Sequence, residues 1–267
     1  MRDDLMLFDQ ESLAPKKETR PSLPKGSVVD YEIGFLFNFA SPRSTNFDLE
    51  PILVYKRSNA VATEYKRISL QADVALAYLQ PMDDELYNDF LQFSDGKVLK
   101  WMMATGNKYI RNANTGSWTH VSARELKNLR KHYLDLLSKL WPRLTDWPNL
   151  FILKTGRFNN TAQQTIKLSK QPPEIRFAAE FENDTIVLKL VLLLDGQPSK
   201  LILYRNLLLE KDNVLYLPPD AEALNLFELF ANGDLKFPLS MKMDVVKKYI
   251  LPWITKYKVT IGDKLNI

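Results

Sequence analysis

The chain of 267 residues contains no cysteine and only two histidines, His120 and His132. Without thiols, disulfide bonds and thiolate metal sites are excluded, and a reducing compartment fits the composition best. Two histidines cannot build a histidine-rich metal site and leave few candidates for acid–base catalysis. No nucleophile motif such as G-x-S-x-G accompanies either residue, which favours a structural or surface role for both.

Glycine-rich phosphate loops and long apolar runs are also missing. The nine glycines are scattered singly, and neither G-x-x-x-x-G-K-[ST] nor G-x-G-x-x-G occurs, so the sequence predicts no cofactor bound through such a loop. The longest apolar run, "IVLKLVLLLDG", is interrupted by Lys189 and is too short to cross a bilayer. The first residues lack a signal-peptide core. We therefore expect a cytoplasmic protein with no membrane partner.

The composition that remains is that of a globular protein. Hydrophobic residues make up 45% and charged residues 25% of the chain, with a formal net charge of +4. This mildly basic balance permits a polyanionic partner without requiring one. Residues 1–27 contain three prolines, mixed charge and no periodicity, which predicts a flexible tail.

Hydrophobic periodicity predicts an α+β fold with mostly antiparallel sheets. The predicted elements are a strand meander at 174–206 and packed helices at about 83–94, 122–141, 220–231 and 240–256. A short additional helix is expected in "GKVLKWMMA", and Pro142 is expected to end or kink the helix at 122–141. We divide the ordered part into a β-rich opening with a helical segment (28–147) and an antiparallel sheet with C-terminal helices (148–267), with one continuous domain from residue 28 as the alternative.

The strand period is clearest from Glu174 onward. Ile175, Phe177 and Ala179 share one face of a predicted strand, and the next strand, 185–194, is apolar on both faces apart from Lys189. A strand covered on both faces is expected to be central in its sheet. The dipeptides Asn183-Asp184 and Asp195-Gly196 tolerate the positive φ angles of tight hairpin turns, which predicts a hairpin at each.

A stripe of basic residues gives the most usable indication of function. On the helix predicted from Ser122, Arg124, Lys127 and Lys131 recur at i, i+3 and i+7 opposite the leucines, with Arg130 beside them. Such a face can follow a phosphate backbone. The preceding segment adds further cations and an aromatic ring for base stacking. The predicted nucleic-acid-binding residues are Arg124, Lys127, Arg130, Lys131, Lys108, Arg111 and Trp118. The alternative is an ordinary solvated helix face.

Acidic residues suggest a metal site only weakly. Two-metal nucleases need converging carboxylates and a nearby lysine, and Asp48 and Glu50 followed by Lys56 fit that need loosely. The cluster at 83–85 is better explained as a helix N-terminus, and that around 180–184 as a strand edge and turn. No catalytic or metal-binding residue is predicted.

The closing block resembles a known family. It contains "LLLEKDNVLYLP", a Leu/Phe-rich helix, "GDLKFP", a helix ending "YILPWITKY" and the strand "KVTI". This pattern is similar to the accessory region that precedes the ATPase core in bacterial Swi/Snf-type helicase-like proteins, where a "Y-x-V" strand occupies the place of Tyr257-Lys258-Val259. The opening "DYEIGFLFNF" with "EPILVYKR" extends the resemblance to about Val29–Ile261.

The resemblance implies a non-catalytic module of a DNA-dependent ATPase. Its partners would be DNA and an ATPase core in the same polypeptide, with the nucleotide-binding motifs beyond Ile267. The module would engage nucleic acid, regulate the motor or contact a partner. Two alternatives stay open, a stand-alone protein–protein interaction or scaffold domain and a metal-dependent hydrolase or nuclease.

Overall fold

The computed structural model describes most of the chain between Val28 and Gly262. The described residues are 28–39, 48–57, 62–67, 84–93, 95–106, 109–111, 118–120, 123–154, 157–200, 203–204 and 207–262. The predicted tail at residues 1–27 lies outside them.

Strands and helices alternate irregularly along the chain, as in an α+β fold. The elements before residue 154 are β1 (Val28–Asn38), β2 (Asp48–Arg57), β3 (Glu64–Arg67), α1 (Asp84–Leu91), α2 (Asp95–Ala104), β4 (Tyr109–Arg111), β5 (Trp118–His120), α3 (Ala123–Leu144) and β6 (Leu150–Leu153). The next are β7 (Gln164–Thr165), β8 (Lys167–Leu168), β9 (Glu174–Glu182), β10 (Thr185–Leu194), β11 (Gln197–Ser199), β12 (Leu203–Tyr204), β13 (Leu208–Lys211) and β14 (Val214–Tyr216).

The last elements are α4 (Ala221–Leu229), β15 (Leu235–Pro238), a composite helix and β16 (Lys258–Ile261). We call residues 239–254 the C-terminal helix. It consists of a 3-10 turn (Leu239–Met241), α5 (Lys242–Val245), a π-helical turn (Val246–Ile250) and α6 (Leu251–Ile254).

The first sheet has the strand order β3-β2-β1-β6-β7. Strand β1 runs antiparallel to β2 but parallel to β6, with Phe35 opposite Leu150. Gly34 allows this approach, because a Cβ at this position would lie 2.9 Å from the carbonyl oxygen of Asn149. Strands from both sides of the boundary that the sequence suggests at residue 147 therefore belong to one sheet.

The second sheet has the order β11-β10-β9-β16, and β15 also pairs with β10. Strand β10 is central, as its apolar faces predicted. Both predicted hairpin turns have positive φ angles, 46° and 57° at Asn183 and Asp184, and 50° and 77° at Asp195 and Gly196. The predicted meander is confirmed through Ser199. Its continuation to residue 206 is wrong, because β12 pairs with β13 in a different sheet.

The third sheet has the order β12-β13-β14-β8, and a short segment connects it to the first. The N–H of Ile166 donates to the carbonyl of Leu150 at 3.0 Å, and the N–H of Lys167 donates to that of Asn213 at 3.0 Å. Strands β7 and β8, one residue apart, thus pair in two different sheets. The parallel pairs β1–β6, β8–β14 and β9–β16 interrupt an otherwise antiparallel arrangement.

The four predicted helices are present with shifted ends. Helix α3 continues to Leu144 and is not ended by Pro142. Pro142 lacks the N–H that would donate to the carbonyl of Ser138, and Ser138 lies on the exposed side of the helix, where solvent can replace that donor. The C-terminal helix contains a π turn before Pro252, where the N–H of Leu251 donates to the carbonyl of Val246.

One continuous set of buried side chains joins the sheets and helices. It includes β1, α3, β9, β10, α4 and the C-terminal helix. On one side of it Trp253 stacks on Phe177, with ring centroids 4.1 Å apart, and Phe230 and Tyr249 lie against the same indole at 5.8 and 5.5 Å. Trp253 is 5% exposed, so the C-terminal helix packs against β9 through this aromatic cluster.

Candidate nucleic-acid interface

Helix α3 places three of the predicted basic residues on its solvent side. Arg124, Lys127 and Lys131 are all exposed, while the opposite side buries Leu129 and Tyr133 against the core. None of the three cations forms an ion pair within the part of the chain that the structure describes. We call Arg124, Lys127 and Lys131 the basic face.

Arg130 has a different environment from the basic face. Its guanidinium forms an ion pair with Glu228 at the end of α4, and only 14% of its side chain is exposed. Burial lowers the pKa of Arg130, and the nearby Glu228 carboxylate opposes this effect. Its Nε has no hydrogen-bond partner among the described residues. Arg130 therefore connects α3 to α4, and a ligand would have to compete with Glu228 for it.

The three remaining predicted residues lie before α3. Lys108 falls outside the described residues. Arg111 and Trp118 lie opposite each other in the β4–β5 hairpin, and β5 lies next to α3. Their backbone therefore brings both positions near the helix that carries the basic face. Their part in binding stays a prediction.

A stacked pair of rings lies beside the basic face, and sequence reasoning missed it. Trp101 of α2 stacks on His132 with the ring centroids 4.0 Å apart and the planes 6° from parallel. Both side chains are half-buried. Burial lowers the pKa of His132, Asp135 raises it and Lys139 lowers it further. The stack holds α2 against α3 at the residue next to Lys131, and no spacing in the sequence links positions 31 residues apart.

Helix α2 adds two cations to this region. Lys97 and Lys100 are one turn apart on α2, and both are exposed. Neither forms an ion pair with another described residue. The Trp101–His132 stack brings the helix that carries them into contact with α3.

Two carboxylates considered for a metal site, Glu50 and Glu85, have structural partners instead. Glu50 accepts a hydrogen bond from Asn38 at 2.8 Å and pairs with Arg67 at 3.1 Å. Glu85 and Asp89 of α1 face Arg143 at 3.7 and 3.8 Å. Among the described residues, no three His, Asp or Glu side chains converge in a way that would hold a metal ion.

The acidic cluster after β9 is likewise engaged. Glu180 and Glu182 both bind Lys189 of β10, the second at 3.1 Å. The pair of carboxylates raises the pKa of Lys189 through hydrogen bonds. This lysine is the one charged residue that interrupts the apolar β10, and the hairpin itself supplies its counter-ions.

Comparisons with known proteins do not assign the chain to a group. No family model, no curated protein and no solved structure matches it. Within the described part of the chain, none of the helices has both the length and the apolar character that a membrane span needs.

Proposed function

We propose that this chain is a non-catalytic accessory module of a Swi/Snf-like ATPase and that it engages duplex DNA through the basic face of α3. The observation that carries the proposal is the exposure of Arg124, Lys127 and Lys131 on one side of α3, without ion pairs to other described residues. Other basic side chains, such as Lys256 and Lys258, are held by carboxylates.

The dimensions of the basic face suit a phosphate backbone. An α-helix rises about 1.5 Å per residue, so Arg124 and Lys131 are separated by about 10 Å along the axis. Phosphates on one DNA strand are spaced by about 3.4 Å along the duplex axis. The three side chains are thus able to contact three phosphates of one strand, and each contact releases condensed counterions.

A binding titration tests the proposal. The full chain is titrated against a fluorescent 20-base-pair duplex at several salt concentrations between 50 and 200 mM. Three phosphate contacts predict a slope of about −2.7 for log K against log salt, which is about a 40-fold loss of affinity over that range. Reversing the charge of Arg124, Lys127 and Lys131 to Glu is expected to remove most of this slope.

A matched control separates the basic face from overall charge. Arg157, Lys167 and Lys200 are exposed, lie away from α3 in sequence and have no ion pair among the described residues. Reversing these three to Glu changes the net charge by the same amount and is expected to leave most of the slope in place. Equal losses in the two triple variants would refute the proposal.

A second candidate function, a protein–protein interaction module, is favoured by a different observation. The C-terminal helix exposes apolar side chains on the side away from the core, among them Met243 and Leu251 at 63% and 48%. Several large apolar side chains exposed on one element are typical of interaction sites. No described residue favours the third alternative, a metal-dependent hydrolase or nuclease.

A further inference from the structure

The C-terminal helix carries large apolar side chains on its exposed surface as well as on its buried side. Its inner side buries Val245, Val246, Ile250 and Trp253 in the core. Its outward surface carries five large apolar side chains that are 40–63% exposed. We call these five residues the outer apolar face: Leu239, Met241, Met243, Leu251 and Ile254. An amphipathic helix that only covered a sheet would have polar residues there, so the outer apolar face has the composition of a contact surface.

Two lysines lie within this surface. Exposed positions recur along the helix at 243–244, 247–248, 251–252 and 254–255, so Lys247 and Lys248 lie between Met243 and Leu251 on the same side. Neither lysine forms an ion pair with another described residue, and the Nζ of Lys248 lies over the ring of Tyr249 at 5.2 Å. Asp244 is the one acidic residue among these exposed positions. The surface therefore suits a segment that combines apolar and acidic side chains.

The same chain contains a segment of that composition. Residues 3–11 read "DDLMLFDQE", in which four consecutive apolar residues are flanked by two acidic residues on each side. We propose that residues 3–11 bind the outer apolar face, with their apolar side chains against Met243, Leu251 and Ile254 and their carboxylates near Lys247 and Lys248.

Chain length and charge both favour this occupant. Phe8 and Val28 are 20 positions apart in the sequence, and an extended chain of that length reaches about 66 Å. A folded chain of this size has a radius of gyration of about 18 Å, so the segment can reach the outer apolar face. A second copy of the chain is a poorer occupant, because symmetric pairing would bring Lys247 and Lys248 of one copy towards the same lysines of the other.

Paramagnetic relaxation measures the contact directly in the full chain. Because the chain has no cysteine, Ser12→Cys introduces a single site for a nitroxide label. The labelled protein carries 13C-methyl methionine, and the relaxation enhancement of the Met243 methyl group is compared with that of Met103. Met103 is an equally exposed methionine, at 61%, on α2. We expect the enhancement at Met243 to exceed that at Met103 at least five-fold.

Two variants test the chemistry of the contact. Leu7→Ser combined with Phe8→Ser removes apolar groups, and Lys247→Glu combined with Lys248→Glu reverses the complementary charge. Each is expected to reduce the enhancement at Met243 to the level at Met103. Reversing Asp3 and Asp4 to Lys in the second variant is expected to restore part of it.

Two results would overturn the proposal. One is an enhancement at Met243 that is no larger than that at Met103 in the unsubstituted labelled chain. The other is an enhancement that appears equally when the nitroxide and the 13C-methyl groups are on separate molecules in a mixed sample, which would identify a second copy as the occupant.

Discussion

Replacing Trp253 by alanine is expected to detach the C-terminal helix from the sheet that it covers. The indole is 5% exposed and stacks on Phe177 of β9 at 4.1 Å, with the planes 15° from parallel. Truncating a buried tryptophan to alanine costs about 3–5 kcal/mol of the free energy of unfolding. Of this, each aromatic pair contributes about 0.5–1.5 kcal/mol beyond buried area.

The expected loss is large enough to measure by thermal unfolding. In a domain of this size, 1 kcal/mol corresponds to about 2–4 °C in Tm, so Trp253→Ala is expected to lower Tm by roughly 6–20 °C. Trp253→Phe keeps a ring against Phe177 and is expected to lose less than half as much. Met103→Ala, at an exposed position, is the control and is expected to change stability by less than about 0.5 kcal/mol. A loss in Trp253→Ala no greater than in this control would refute the role assigned to the cluster.

Two further predictions concern titrating groups. The Asp220 carboxylate caps α4 by accepting from the N–H of Ala223 at 2.8 Å; burial raises its pKa, but that bond and Lys256 together hold the pKa below 3.8. Asp220→Ala is therefore expected to lower the free energy of unfolding, measured by chemical denaturation at neutral pH, by about 0.5–2 kcal/mol. This loss should shrink as the pH falls below about 4, because the unfolded chain binds the proton first. An unchanged loss at pH 3 would contradict this. His132 is expected to titrate below 6.5 by NMR because it is half-buried against Trp101, so its contribution to stability falls as the pH drops through 6.5. Trp101→Ala should move that pKa back towards 6.5, and an unmoved pKa would exclude the stack as its cause.

Local sequence patterns predicted the helices and strands of this fold, but they did not predict which distant strands pair with each other. The alternation in β9 and the positive φ angles at Asn183 and Asp184 follow from side-chain period and turn chemistry, which act between near neighbours. The parallel pairing of β9 with β16 joins residues about 80 positions apart, and periodicity specifies the buried face of a strand without specifying its neighbour. The break of the meander after Ser199 was missed for the same reason.

The candidate interface shows the same limit. Helical spacing correctly placed Arg124, Lys127 and Lys131 on the exposed side of α3. In the sequence Arg130 is one more basic residue of the same helix. Its partner Glu228 is 98 residues away, and only the packing of α4 against α3 brings the two together. The exposed side of the C-terminal helix was also missed, because apolar residues on both sides of a helix predict burial when only the sequence is known.

Two of the three strands that flank the β9–β10 hairpin come from the last part of the fold; only β11 follows the hairpin directly. Strand β15 pairs with Thr185–Leu188 of β10, and β16 pairs with β9 on the other edge. During translation the hairpin, with its nearly uncharged β10, is synthesised before either of these two strands. Unpaired apolar edges of this kind are templates for aggregation. The nascent chain is therefore expected to be most vulnerable between the synthesis of Leu194 and that of Ile261, which makes this interval the one in which a chaperone would matter most.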